Sequence, residues 1–309
     1  MLTTFDCMGC EIALRVADPA AALRARDLLE RFDERLSRFA ETSELSRLNR
    51  DLRESVPASV LVRSAVRAAV WAAQRSAGLV DPTLLAALRA QGYARSLSGA
   101  VAPPLAVALA AAPARRPARP RPDARWRAIA VDDERGAIVR PPGLELDTGG
   151  STKGLAADAV AHLLEDAPGY VVDCGGDLRI RAPRPIDVVV EHPLTGAVAH
   201  TLRIASGAVA TSGLGRRLWR RPDGGFAHHL IDPATGEPAW TGVVSATALA
   251  PTALAAETLA KTALLSGPLA ARRLLAPGGG VLVHDDGHVE AVGRRARPPL
   301  RIVREEVAA

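Results

Sequence analysis

Apolar residues alternate with polar or small ones at Ile12, Leu14 and Val16, which predicts a strand near the start of the chain. The period then changes. Leu29, Phe32, Leu36 and Phe39 recur at steps of three and four, the spacing of one helix face. Val62, Val66, Ala69, Val70 and Ala73 repeat that pattern until Gly78 ends it, and both helices are expected on one side of a sheet. Ile129 to Val139 reads as a hairpin leading into Leu144 to Asp147, and Lys153 to Glu165 reads as a helix. Strands follow at Gly169 to Asp173, Ile186 to Glu191, Val243 to Ala250 and Gly280 to His284. A helix is predicted over Thr252 to Leu265, and Asp286-Gly287 supplies a turn between the last two strands. Hairpins outnumber βαβ units, so the pattern favours an α+β architecture over a doubly wound one, and no fixed-period repeat interrupts it.

Between Ser98 and Asp123 the sequence turns to Pro, Ala and Arg, a composition that predicts an extended or mobile connector, with a short helix where LAVALAAA occurs. Composition shapes the rest. Aromatic residues make up only 3%, so Ala, Leu and Val must build the core. The chain carries a net charge of +5 and a pI near 9.7, which favours anions in general without singling out nucleic acid. No apolar run is long enough to cross a membrane. Met1 to Gly9 lacks the pattern of a secretory signal, and three cysteines make no disulfide framework, so a reducing cytoplasm is expected. Among 39 basic residues only Lys153 and Lys261 are lysines. In a chain so drifted toward Arg, a lysine marks a place where a compact point charge on a slim stem is needed.

Several short motifs could carry chemistry. Asp147 to Gly154 is a glycine-rich turn opening a helix, where backbone amides and Lys153 would cradle a phosphate; it lacks the Walker A spacing, and a plain tight turn is the alternative. Gly175-Gly176-Asp177 follows a strand and would let a ligand approach the backbone, as would Thr211-Ser212-Gly213 with its two hydroxyls, although both also suit ordinary turns. His228 and His229 point to opposite sides of a strand, so at most one faces a site, and the Asp232-Pro-x-x-Gly turn would hold it against a carboxylate. Glu257 and Lys261 share a helix face, either as a surface ion pair or, in so apolar a segment, facing a polar cavity. Cys7 and Cys10 form a C-x-x-C that precedes a strand and has no second pair to complete a zinc site.

In this order the motifs resemble the FAD:protein FMN transferase, or ApbE-like, family. The resemblance runs from Met8-Gly9 through Ser43 to Asn49, Asp81-Pro82-Thr83, Asp147 to Gly154, Gly175 to Asp177, Thr211 to Gly213 and His229 to Gly236, and ends with the helix Ala256 to Gly267. It implies one α+β, T-fold-like domain over 1–309, with mainly antiparallel sheets, packed helices and a flavin cleft between two lobes. The implied activity is transfer of FMN from FAD to a Thr or Ser hydroxyl of an acceptor protein, with release of AMP. The alternatives are an FAD-binding protein without transfer activity, or an FAD pyrophosphatase giving FMN and AMP.

The same resemblance implies that Met8, Gly9, Asn49, Asp81, Lys153, Gly175, Gly176, Asp177, Thr211, Ser212, His229 and Asp232 surround FAD. His229 would serve as base or orient the acceptor hydroxyl. A Mg²⁺ ion would be held by the Gly150 carbonyl and by an acidic and a Thr side chain on the late helix. Here those two positions hold Glu257 and Lys261, and an ammonium cannot ligate a metal. Thr262 lies about 100° further around the helix and does not replace it. The expectation is that Lys261, paired with Glu257, stands where a metal would otherwise neutralise the FAD phosphates; a weak ion bridged by phosphate oxygens is the alternative.

Overall fold

The computed structural model describes residues 1–293. Its strands are β1 (Leu2–Cys7), β2 (Cys10–Val16), β3 (Ser55–Pro57), β4 (Ala130–Asp132), β5 (Ala137–Val139), β6 (Tyr170–Cys174), β7 (Asp177–Glu191), β8 (Val198–Gly213), β9 (Leu218–Arg220), β10 (Phe226–His228), β11 (Val243–Ala250), β12 (Gly280–His284) and β13 (Val289–Val292). The helices are α1 (Pro19–Leu36), α2 (Glu44–Arg50), α3 (Val60–Arg75), α4 (Leu85–Ala90), α5 (Leu105–Ala110), α6 (Thr152–Leu163), α7 (Ala253–Ser266) and α8 (Pro268–Leu275). Eight strands form one sheet in the order β1-β2-β6-β7-β8-β11-β12-β13. Every pairing in it is antiparallel. The α+β class read from the hairpin pattern is the class found.

Strand alternation explains the layers. Ile12, Leu14, Val16 and Val172 turn one sheet face toward Ala25, Leu29 and Phe32 of α1 and Ala156, Ala157 and Val160 of α6, all in one buried cluster. Ile180, Val190, Leu202, Ile204 and Val209 form a separate cluster along the long β7–β8 hairpin. Helix α3 lies against α1, α6, α7 and the small sheet β3-β5-β4, rather than on the large sheet.

Helix α1 begins at Pro19 because the Asp18 side chain accepts the Ala20 and Ala21 N–H groups at 2.9 and 3.1 Å. It ends at Leu36, one turn before the periodicity predicts, which leaves Phe39 in the following turn. The predicted strand Ile186–Glu191 is the far half of β7, whose register slips between Arg181 and Ile186, where two prolines stand. Thr211-Ser212-Gly213 is the end of β8 rather than a turn: Thr211 and Thr247 pair across β8 and β11 with hydroxyl oxygens 2.9 Å apart. The Arg/Pro connector is extended after α5 but pinned. The Arg116, Ala118 and Arg119 N–H groups donate to Trp240 O, Leu265 O and the Asp232 carboxylate at 3.0, 2.8 and 3.0 Å, so of the two alternatives, extended or mobile, the extended one describes this segment. Among the described residues no helix is long and apolar enough to cross a membrane.

Candidate functional site

Two helices bring the lysines together. Helix α6 starts where the Asp147 turn ends, and α7 follows β11, so Lys153 sits in the first turn of one and Lys261 in the third turn of the other. The helices touch at Gly154. A Cβ there would lie 2.7 Å from the Ala253 carbonyl oxygen and 2.8 Å from Glu257 Oε2, so only glycine allows the approach. The contact is locked from the other end by Asp158, whose carboxylate accepts the Ala253 and Leu254 N–H groups at 2.8 and 2.9 Å and so caps α7.

Lys153 Nζ donates to Asp177 Oδ2 at 2.5 Å, and Lys261 Nζ to Glu257 Oε1 at 2.7 Å. Burial alone would lower the Lys153 pKa, but the Asp177 and Glu257 carboxylates outweigh it and hold the ammonium above its ordinary range. Burial pushes the fully enclosed Glu257 carboxyl up, and the Lys261 ammonium works against that shift. Both lysines line a cavity of about 1600 Å³. Met8 and Gly9 of the β1–β2 turn line it, with Met8 held at φ 53°. So do Asp81 and Gly150, and the Gly175-Gly176 turn, whose φ values of 65° and 95° need glycine. Thr211, Ser212 and His229 complete the predicted residues on this wall.

Four predicted residues stand elsewhere. Asn49 is buried behind the wall, its amide clamping Leu146 through N–H and C=O at 2.8 Å each. Asp177 is sealed behind Lys153, and Glu257 behind Lys261. Asp232 accepts the Arg119 and Ala234 N–H groups at 3.0 and 3.1 Å, so it fixes the connector and its own turn and stands off the cavity wall. The two histidines do separate as alternation requires. His228 is fully buried edge-on against Trp240, with ring centroids 4.7 Å apart, and burial lowers its pKa to about 3. His229 faces the cavity, and among the described residues its Nδ1 has no partner. Burial first, then the Arg217 and Lys261 charges, hold its pKa well below the usual histidine range, so the ring is neutral.

The donor set does not fit Mg²⁺. Both Glu257 oxygens are engaged, Oε1 by the Lys261 ammonium and Oε2 by the Gly154 N–H at 2.8 Å. The nearby hydroxyls of Thr258 and Thr262 donate back to the helix carbonyls of Leu254 and Thr258 at 2.8 and 2.6 Å. Among the described residues no three His, Cys, Asp or Glu side chains converge on one point. A divalent ion needs oxygens where this protein presents a cation.

Sequence reading missed two arginines on this wall. The Arg38 side chain is 6% exposed, its Nε 3.1 Å from Asp147 Oδ2 and its guanidinium carbon over the rings of both Phe39 and Tyr93, 4.2 and 4.4 Å from their centroids. Arg217 lies beyond β8, and its carbonyl accepts the His229 N–H at 3.3 Å. In so Arg-rich a chain neither carries a distinguishing signal.

The ApbE family model matches residues 8–283. The FAD:protein FMN transferase of Escherichia coli (strain K12) is 33% identical over 142 residues, 43% of this chain and 40% of that protein. The FAD:protein FMN transferase of Treponema pallidum (strain Nichols) is 33% identical over 225 residues, 61% of each chain. The matched region thus spans about two fifths to three fifths of these relatives. Among solved structures, the ApbE protein of Thermotoga maritima superposes with a TM-score of 0.76 at 24% identity, over 94% of this chain and 96% of that one. The apo flavinyl transferase ApbE of Pseudomonas stutzeri gives 0.74 at 21% identity, covering 94% of each. At these identities the superpositions speak for the fold.

Proposed function

The chain belongs to the ApbE family, and we propose that its cleft binds FAD and transfers the FMN half to a Ser or Thr hydroxyl of an acceptor protein, releasing AMP. The observation that carries this reading is convergence: the α6 start with Lys153, the β6–β7 glycine turn, His229 and Lys261 all open onto one cavity of about 1600 Å³. Typical small-molecule pockets run from about 300 to 1000 Å³, so this one has room for a dinucleotide and an entering side chain.

The chemistry balances with these groups. The acceptor hydroxyl oxygen forms a bond to the FMN phosphorus, and the bond from that phosphorus to the bridging diphosphate oxygen breaks. AMP leaves with that oxygen, and the hydroxyl proton goes to His229. A neutral imidazole can take that proton. Burial first, and then its neighbouring cations, hold its basicity down, and a bound diphosphate would offset the cations and raise it. The Lys153 ammonium at the start of α6 supplies a donor for phosphate oxygens, whereas the Thr152 and Gly154 N–H groups are already bonded to Thr148 O and Glu257 Oε2. Mg²⁺ is given no step, because Glu257 and Lys261 do not offer it a donor set. A cytoplasmic acceptor is part of this reading, supported by a sequence with three cysteines and no disulfide framework.

The test incubates the protein with FAD and a lysate of its source cells, following covalent flavin fluorescence on denaturing gels and AMP by chromatography. A fluorescent protein band formed with stoichiometric AMP supports transfer. AMP and free FMN without any labelled band would instead establish a pyrophosphatase, and bound FAD with neither product a binding protein.

A further inference from the structure

The cations of the cleft do not cancel evenly. Lys153 is matched by Asp177 and Lys261 by Glu257, each pair within 2.7 Å, so each is close to neutral as a unit. Lys261 therefore offers a phosphate less net charge than an unpaired cation does. Arg217 differs. It is half-buried and lines the same cavity, yet among the described residues its guanidinium has no carboxylate partner and no hydrogen bond to the protein. Its charge reaches the centre of the site, acting against protonation of His229 and Lys153 and in favour of the Cys10 thiolate. The 3.3 Å bond from the His229 N–H to its carbonyl ties the Leu214–Leu218 segment to the histidine. A guanidinium held in a partly desolvated wall without an anion is an unfavourable arrangement that a bound anion relieves.

We propose that Arg217 is the diphosphate-binding residue of the cleft: its planar fork takes the phosphate oxygens of FAD and supplies the positive charge that the Glu257–Lys261 pair cannot. The proposal rests on the FAD reading above. Guanidinium matches two phosphate oxygens at once, which an ammonium does not. In transfer the same charge would face the oxygen that departs with AMP, so binding and catalysis draw on one group. Nucleotide binding then needs no divalent ion.

Binding of FAD, ADP and riboflavin to the whole protein, measured by fluorescence quenching and calorimetry with EDTA and with Mg²⁺, tests this. Wild type is expected to bind FAD and ADP equally well in both buffers. Arg217→Gln should lose about 10- to 100-fold in affinity for FAD and ADP, the range for a hydrogen bond to a charged group, and keep its affinity for riboflavin, which has no phosphate. Arg217→Lys should recover part of the loss. Unchanged ADP affinity in both folded variants would overturn the proposal, as would wild-type binding that appears only with Mg²⁺. Should Arg217→Gln fail to fold, the lysine variant and competition by inorganic diphosphate against FAD in wild type carry the same decision. Wild type that binds neither FAD nor ADP in either buffer removes the FAD reading itself, a different result from FAD binding that ignores position 217.

Discussion

The Lys261 ammonium lies 2.7 Å from Glu257 Oε1, with the carboxylate fully buried and the lysine side chain 11% exposed. Removing one partner of such a pair strands the other charge. Lys261→Met should therefore destabilise the fold by about 3–5 kcal/mol, whereas Lys261→Met combined with Glu257→Gln should restore most of it. Urea unfolding of the two single variants and the double variant gives the coupling directly.

Substituting the same lysine by threonine asks a different question. Lys261→Thr frees Glu257 Oε1 and offers a hydroxyl one turn away on the same face of α7. Mg²⁺ should raise the melting temperature of this variant and leave that of wild type unchanged. A wild-type shift of equal size would mean that the ion binds away from Glu257 and Lys261.

Gly154→Ala should be damaging although alanine favours helices. Its Cβ would sit 2.7 Å from the Ala253 carbonyl and 2.8 Å from Glu257 Oε2, forcing α6 and α7 apart. The expected cost is about 1–3 kcal/mol from overpacking, with added loss of the Gly154 N–H to Glu257 bond. Thermal melts check it; because Gly154 has helical backbone angles, the loss is expected from the clash with Ala253 and Glu257 and not from backbone strain.

These residues also mark how far sequence carries. Lys153 and Lys261 stand out because the chain otherwise uses Arg, and β11 and β12 are legible to the residue because apolar runs there end at sharp turns. Strand β8 is not, since Ser206, Gly207, Ala208 and Ala210 carry little apolar signal and Thr-Ser-Gly mimics a turn; its pairing with β7 and β11 decides it. Asn49 and Asp232 show the same limit at the site. Both are polar residues in motifs, yet what they bond is backbone, at Leu146 and Arg119, and only tertiary placement distinguishes that from ligand contact. Arg38 and Arg217 are lost among many arginines for the converse reason.

His228 predicts an acid weakness independent of catalysis. Its pKa falls from 6.5 to about 3 on folding, so below pH 6.5 the unfolded chain binds a proton that the folded chain refuses. Stability should therefore fall with decreasing pH, by up to about 1.4 kcal/mol per unit from this residue, until the folded-state pKa is reached. His229, shifted in the same direction, adds to the slope. Urea unfolding between pH 7 and 4 should be shallower in pH for His228→Gln, even if that variant is less stable at pH 7 through loss of the Trp240 contact.

His229 is the residue whose removal should separate chemistry from binding. It reaches the cavity on the strength of the β9–β10 hairpin, which buries Phe226, Ala227 and His228 and so presents the next side chain to the opposite side. Replacing it leaves the Lys153–Asp177 and Glu257–Lys261 pairs untouched, because it bonds to neither through its side chain. His229→Ala should thus retain FAD affinity within a few-fold while transfer falls by about 10²- to 10⁴-fold, the usual contribution of a positioned general base. In wild type the rate should drop on acidification as the ring becomes protonated, and the midpoint with FAD bound should lie above that of the free protein, because the diphosphate offsets the Arg217 and Lys261 charges that depress it. Rate–pH profiles at saturating and limiting FAD report those two midpoints separately. Coincident midpoints would mean that the diphosphate does not settle beside His229.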